Sequence, residues 1–194
     1  MNFKFSIVIP TKNEEKNIIK CLNSIYKQKQ KNIEVLLIDS QSNDKTISLT
    51  KNFIKKNRRK DINLRIIKKN LPAEKAIAYG IHKSRGDIIS FLGADDRLFN
   101  SQSLDIVKKL FNKIDEQILY GSYVVINQED RIVKTVISRS FDRHHLLNHE
   151  NYICATSLFF KKNIFKAVKK SLDDGYDFAF ILKYSKYLNF YRTK

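Results

Sequence analysis

Phe5-Ser6-Ile7-Val8-Ile9-Pro10-Thr11-Lys12-Asn13-Glu14 carries the first decision about the fold. Its opening is a continuous apolar run, the pattern of a parallel strand buried on both faces. Its close is polar, and Thr11 with Glu14 three residues later matches a capping box at a helix start. Ile18, Leu22, Ile25 and Tyr26 then recur at helical spacing. The same unit returns. Val35-Leu36-Leu37-Ile38-Asp39 is a second apolar strand ending in an acid, and the polar turn Ser40 to Asp44 opens a helix over roughly Lys45 to Lys56. Leu64 to Ile67 is a third strand, and Pro72 suits the first turn of a helix running to Lys83. After the turn Gly86-Asp87 comes a fourth strand, Ile88 to Leu92, closed by Gly93-Ala94-Asp95-Asp96.

Strand and helix alternating in this way predict an α/β fold with a Rossmann-like, doubly wound, mostly parallel sheet. Such sheets bind ligands at the carboxyl ends of their strands. Polar residues gather at those ends: Thr11 to Glu14, Asp39 to Asp44, and Asp95-Asp96. Beyond residue 97 the pattern changes. A helix is expected over Leu104 to Ile114, and two strands, Ile118 to Ile126 and Arg131 to Ser138, around the turn Asn127-Gln128-Glu129-Asp130. A further strand is expected at Ser157 to Phe160. A last helix is expected over Asp177 to Tyr187, with Phe178, Ile181 and Leu182 on one face. No repeat, low-complexity tract or linker divides the chain, so 1–194 reads as one domain.

Composition narrows the function classes. The 194 residues are 42% hydrophobic with two prolines and five glycines, which excludes a disordered or linker-rich chain. No apolar run approaches the ~20 residues of a membrane span. The apolar stretch at the N-terminus is too short for a signal peptide. Cys21 and Cys154 have no metal-type spacing, and a reduced cytoplasmic setting is expected. The net charge of +17 attracts polyanions, whether nucleic acid, anionic lipid or phosphorylated substrate. A compositional habit of lysine, asparagine and isoleucine explains that charge as well as a functional reading does.

Two adjacent carboxylates at a strand end repel each other, and a divalent cation relieves the repulsion. Such a cation bridges a diphosphate and stabilises it as a leaving group. Taken alone, Asp95-Asp96 reads as an ordinary solvated turn. It does not stand alone: with the blocks Phe5 to Glu14, Val35 to Thr46, Gly86 to Asp96, Ile153 to Phe160 and Asp177 to Lys183, in that order, the chain resembles the family 2 glycosyltransferases, inverting enzymes of GT-A fold. Asp39-Ser40-Gln41-Ser42-Asn43-Asp44-Lys45-Thr46 matches that family's acid-small-x-Ser-x-Asp-x-Thr turn.

The resemblance implies a nucleotide diphosphate sugar donor, a glycan or lipid-linked acceptor, and a Mn2+ or Mg2+ cofactor, in bacterial surface polysaccharide synthesis. It implies a nucleotide-sugar half of about 1–97 and a smaller, mixed acceptor-side half of about 98–194. Pro10, Thr11 and Asn13 would line the base and ribose pocket, with Glu14 there or acting as a cap. Asp39 would meet the base or hold the pocket loop, and a turn-forming role rivals this. Asp95 would sit by the ribose or reach the metal through water. Asp96 would ligate the metal directly. Asp177 would be the general base for the acceptor hydroxyl, against a plain helix-start acid.

The chain departs from the family pattern at several positions. Gly93 replaces an acid, Ser40 a second acid, Ala78 an asparagine, Ala155 a histidine and Lys183 an arginine whose fork geometry is lost. A short form is expected, ending soon after the base helix. His144, His145 and His149 lack a metalloprotease context and read as a polar helix face near the acceptor site. The basic stretch Lys51 to Lys69, with Lys55, Lys56, Arg58, Arg59, Lys60, Lys68 and Lys69, reads as a solvated helix end or as peripheral contact with an anionic membrane on its inner face. Specific nucleic-acid binding is not expected, because basic and aromatic residues do not interleave. The rival reading is a basic nucleic-acid or membrane-binding module with an inactive transferase core. A nucleotidyltransferase ranks below it, because no glycine- and basic-rich loop follows the first strand.

Overall fold

A computed structural model describes residues 3–57, 59–148, 153–164 and 190–193. The first half runs β1 (Phe5–Thr11), α1 (Ile18–Tyr26), β2 (Ile33–Asp39), α2 (Thr46–Lys56), β3 (Ile62–Lys68), α3 (Ala73–Lys83) and β4 (Ile88–Phe91). The second runs α4 (Ser103–Phe111), β5 (Ile118–Tyr120), β6 (Tyr123–Ile126), β7 (Ile132–Val136) and α5 (Arg143–Asn148). A 3-10 turn at Ala155–Ser157 then leads to β8 (Phe159–Lys161), and β9 is Phe190–Arg192. The expected helix at Asp177 to Tyr187 lies outside the described residues.

Seven strands form one sheet in the order β3-β2-β1-β4-β8-β5-β9, and β6 with β7 forms a separate hairpin. β1 pairs in parallel with β2 on one side and β4 on the other. Only β8 runs against its neighbours within the large sheet. The sheet is therefore mostly parallel, as the alternating pattern predicts.

The continuous apolar runs are explained by cover on both faces. Val8, Leu36 and Ile89 pack with Ala76 and Ile81 of α3. Ile7, Ile9, Val35 and Leu37 pack on the opposite face with Leu22 and Ile25 of α1, Phe53 of α2, and Leu104 and Val107 of α4. Away from the carboxyl ends, a buried charge ties the strands together. Glu34 of β2, 1% exposed, accepts hydrogen bonds from Ser6 Oγ at 2.6 Å, the Arg85 amide at 2.8 Å and Arg65 Nη2 at 2.7 Å. Burial alone would push the Glu34 carboxyl up; these three bonds outweigh it and hold it below its ordinary value.

Three expectations need correction. Thr11 is not a helix cap: it is the last residue of β1, in register with Asp39, and its hydroxyl bonds Ile9 O at 3.2 Å. α1 starts only at Ile18, and its cap position, Asn17, makes no side-chain cap bond. The single strand expected over 118–126 is two strands broken at Gly121-Ser122. A Cβ on Gly121 would lie 2.8 Å from Thr193 Oγ1, so the residue that follows β9 crowds the break. The strand expected from Ser157 starts at Phe159, because Ala155–Ser157 coil into the 3-10 turn.

Gly80 sets how closely α3 sits on the sheet. A Cβ there would lie 2.3 Å from Val8 Cγ1, inside van der Waals contact. Gly80→Ala improves helix propensity yet is expected to lower stability by about 1–3 kcal/mol, the scale of core overpacking. Urea unfolding monitored by circular dichroism checks it; an unchanged or raised midpoint refutes the packing argument.

Candidate functional site

The parallel pairing brings the ends of β1, β2 and β4 to one edge, and with them the polar residues singled out in the sequence. Past the strands, the loops after β1 and β2 bond to each other. Ser40 N bonds Thr11 O at 2.9 Å, Asn13 N bonds Ser42 Oγ at 3.0 Å, and Asn43 N bonds Asn13 Oδ1 at 2.9 Å. Glu14 N bonds Thr46 Oγ1 at 2.7 Å, Glu15 N bonds Asp44 Oδ2 at 3.0 Å, and Lys45 N bonds Glu15 Oε2 at 3.0 Å. Asn13 and Gln41 adopt left-handed backbones, with φ of 56° and 58°. Such conformations cost ~1–3 kcal/mol for residues other than glycine and collect at functional sites.

The expected binding residues separate into two kinds. Thr11 and Asp39 are buried, at 4% and 1% exposure. The Asp39 carboxylate accepts the Ser42 amide at 3.2 Å, so it holds its own loop. Pro10 is half-buried beside Ile38. Asn13 is exposed at the loop surface. The Glu14 carboxylate accepts from the Asn17 side-chain amide at 3.0 Å, just ahead of α1.

Asp95 and Asp96 follow β4 at the same edge. Their carboxylates converge on Gly93: a Cβ placed there would lie 2.6 Å from Asp96 Oδ2 and 2.7 Å from Asp95 Oδ1. The departure at Gly93 thus has a steric meaning, since any side chain would displace the pair. Asp95 is exposed and Asp96 half-buried. Burial first, then the Asp95 charge, pushes the Asp96 carboxyl above its ordinary value, against hydrogen bonds from the Gly93 backbone and the Thr156 side chain. Cys21 Sγ lies 3.5 Å from Gly93 O, and burial with the charges of Asp96 and Asp95 pushes its thiol well up. Among the described residues no three His, Cys, Asp or Glu side chains gather as a metal cluster. Asp95 and Asp96 stand as a pair of hard oxygen donors. They fit a cation that takes its remaining ligands from a bound diphosphate and water.

Several neighbours of the pair were not foreseen. Thr156 bonds Asp96 from the 3-10 turn. Arg97, next in sequence, donates to Asp130 Oδ1 at 2.6 Å, and Lys20 of α1 pairs with Asp130 at 3.0 Å. Asp130 sits in the turn of the β6–β7 hairpin, so the hairpin tip reaches back to the acidic edge. Hydrogen bonds from Arg97 and Lys20 hold the Asp130 carboxyl down to about 2. Only a long-range charge match marked this clasp in the sequence, and the separation of 110 residues between Lys20 and Asp130 hid it.

Part of the basic stretch is structural. Arg59 donates to Tyr26 O and Gln28 O, each at 2.7 Å, and pairs with Asp61. Lys69 and Lys83 both lie 5.6 Å from the Tyr79 ring centroid. Asp177, His149 and Arg58 lie outside the described residues.

Comparison with known sequences shows one family. The sequence profile of Glycosyl transferase family 2 matches residues 6–182. An uncharacterised glycosyltransferase of Haemophilus influenzae is 30% identical over 184 residues, covering 91% of this chain and 70% of that protein. S. aureus TarS 1-349, solved in complex with UDP-GlcNAc, superposes with a TM-score of 0.66 at 20% identity, over 86% of this chain and 47% of that one. Mannosyltransferase PcManGT from Pyrobaculum calidifontis, solved with GDP-Man and Mn2+, gives a TM-score of 0.63 at 17% identity, over 87% and 47%. At these identities the likeness shows the fold, which is GT-A. The chain spans about half the length of these two solved structures.

The raised Asp96 carboxyl makes a signed prediction. Its folded-state affinity for a proton exceeds the unfolded one, so its contribution to stability is full below the ordinary value of 3.8 and is lost as pH rises through the folded value. Asp96→Asn, without added cation, is expected to melt higher than the wild type at neutral pH, with the gap closing as pH falls below 3.8. Thermal melts across pH check this. A neutral-pH variant melting at or below the wild type refutes it.

Proposed function

Because the chain belongs to Glycosyl transferase family 2, we propose that it is an inverting, divalent-cation-dependent transferase that moves a sugar from a nucleotide diphosphate sugar to a glycan or lipid-linked acceptor. The observation that carries this reading is the convergence of the Asp95 and Asp96 carboxylates on Gly93, at the edge where the linked loops of Thr11 and Asp39 also end. The nucleotide-sugar complexes of TarS and PcManGT, and the Mn2+ of the latter, support the donor class and the cation.

Pro10, Thr11, Asn13 and Glu14 border the base and ribose pocket. Asp39 keeps the facing loop in shape through Ser42. Asp95 would serve the ribose side or reach the cation through water, and Asp96 would ligate it. When bound, the cation supplies positive charge to the diphosphate as it leaves. Thr156 orients Asp96. Asp177 takes the proton of the acceptor hydroxyl as that oxygen attacks the anomeric carbon opposite the departing diphosphate. Residues of about 1–97 form the donor half and those of about 98–194 the acceptor half, in one domain. No described helix is long and apolar enough to cross a membrane. We place the protein in the cytoplasm, peripheral to the anionic inner face, where surface glycans or their lipid-linked precursors are built. The rival reading, a basic binding module with an inactive core, is not favoured by a family match across 6–182.

A thermal-shift panel of nucleotide diphosphates and nucleotide sugars, with and without Mn2+, tests the reading. A cation-dependent rise is expected with one nucleotide and is expected to vanish in Asp96→Ala. Asp177→Asn is expected to keep that rise and to lose transfer by about 10²–10⁴-fold, the scale of a general base. Equal nucleotide binding by the wild type and Asp96→Ala in Mn2+ removes the metal assignment. Full transfer by Asp177→Asn removes the base.

A further inference from the structure

The acceptor-side half contains a cavity that the donor loops do not use. It is an open surface pocket of about 670 Å³, lined among the described residues by the consecutive residues 139–145. We propose that this cavity is a subsite for a phosphate group carried by the acceptor. That an acceptor brings the phosphate rests on the transferase reading above; that the cavity binds phosphate does not.

Charge points to an anion. Arg139, Arg143, His144 and His145 line the cavity, with Asp142 as the only acid among them. Asp142 keeps its charge there: its Oδ1 accepts the His145 amide at 3.0 Å, it also bonds the His144 amide, and its charge acts on both histidines, so the positive excess of the lining rests on Arg139 and Arg143. Arg139 Nη1 approaches His145 Nε2 to 3.5 Å. The two basic side chains therefore converge on one spot. Guanidinium forks bind phosphate oxygens in pairs, with short charge-assisted bonds.

The rim is held by the sheet. Tyr120 Oη, at the end of β5, donates to Arg139 O at 2.6 Å. Arg192 Nη1, at the end of β9, donates to Ser138 O at 3.2 Å, and Ser138 N bonds Ser122 Oγ at 3.1 Å. Phe141 stacks on Phe190 with centroids 4.1 Å apart, and Leu146 is buried in the core.

Position relates the cavity to the transfer. β5 runs in the same direction as β4, with β8 between them. Tyr120 therefore ends at the edge where Asp95 and Asp96 end. Two strand spacings separate β4 from β5, about 10 Å. A sugar phosphate that reaches both places would have to span a distance of that order. An acceptor with a phosphate next to its reacting sugar fits this span, whether a lipid diphosphate-linked sugar or a soluble sugar phosphate.

The test follows the histidine ring signals by NMR while the full chain is titrated with glycerol 3-phosphate, and separately with farnesyl diphosphate, in EDTA. His144 and His145 are expected to shift in a saturable way, with His82 on α3 as the unmoved control. Arg139→Gln combined with Arg143→Gln is expected to weaken both titrations about tenfold and to leave the Mn2+-dependent nucleotide response unchanged. Tighter binding of farnesyl diphosphate supports the subsite with a lipid-linked source; equal binding supports it with a soluble one. Shifts at His82 as large as those at His144 and His145, no shift at all, or unchanged affinity in the double variant overturns the proposal. Should the double variant not fold, the wild-type ring shifts decide. A wild type that binds phosphate here but no nucleotide sinks the transferase reading alone; nucleotide binding without phosphate binding sinks the subsite alone.

Discussion

The parallel ladder on both sides of β1 is the constraint from which the rest follows. Because β2 and β4 pair with β1 in the same direction, their carboxyl ends meet at one edge. Because both faces of β1 are covered, its register cannot slip without moving Ile7 and Ile9 into the layer that holds Val8. The loops leaving that edge then have fixed starting points, and their mutual bonds from Asn13 to Thr46 need no further scaffold. The buried bond set of Glu34, Ser6 and Arg65 ties β1 and β2 to β3 on the far side.

The first half of the fold was legible because burial on both faces writes itself into the sequence as uninterrupted apolar runs. β1 and β4 could be read to within one residue at each end, while β2 starts two residues before its expected start at Val35. The failures share a cause: Thr11 looks like a cap by residue type, but its partner lies in a strand adjacent in space and remote in sequence. The break at Gly121-Ser122 was hidden for the same reason, since the crowding comes from Thr193. Local pattern reports local chemistry and is silent about long-range neighbours.

At the candidate site, the residue types were legible and their environments were not. Adjacent aspartates at a strand end could be seen. That one is exposed and the other half-buried, with Thr156 beside it, required the second half of the chain to fold back against β4. Gly93 changes meaning in the same way. In the sequence it is a missing acid; in the structure it is the space into which the two remaining carboxylates turn. An acidic side chain at that position would have required a different arrangement of the pair.

The hairpin that clasps Arg97 and Lys20 through Asp130 has a price in colloidal behaviour. Ile132, Val133 and Ile137 are 57%, 61% and 69% exposed, and β6–β7 is a two-stranded sheet with no further strand on either side among the described residues. Free strand edges with branched apolar side chains template pairing between molecules. The net charge of +17 opposes that encounter at low ionic strength. At about 0.15 M salt the repulsion reaches only some 8 Å. Arg131 and Lys134, both exposed in the same segment, set charge beside those apolar side chains at a range that this screening leaves intact.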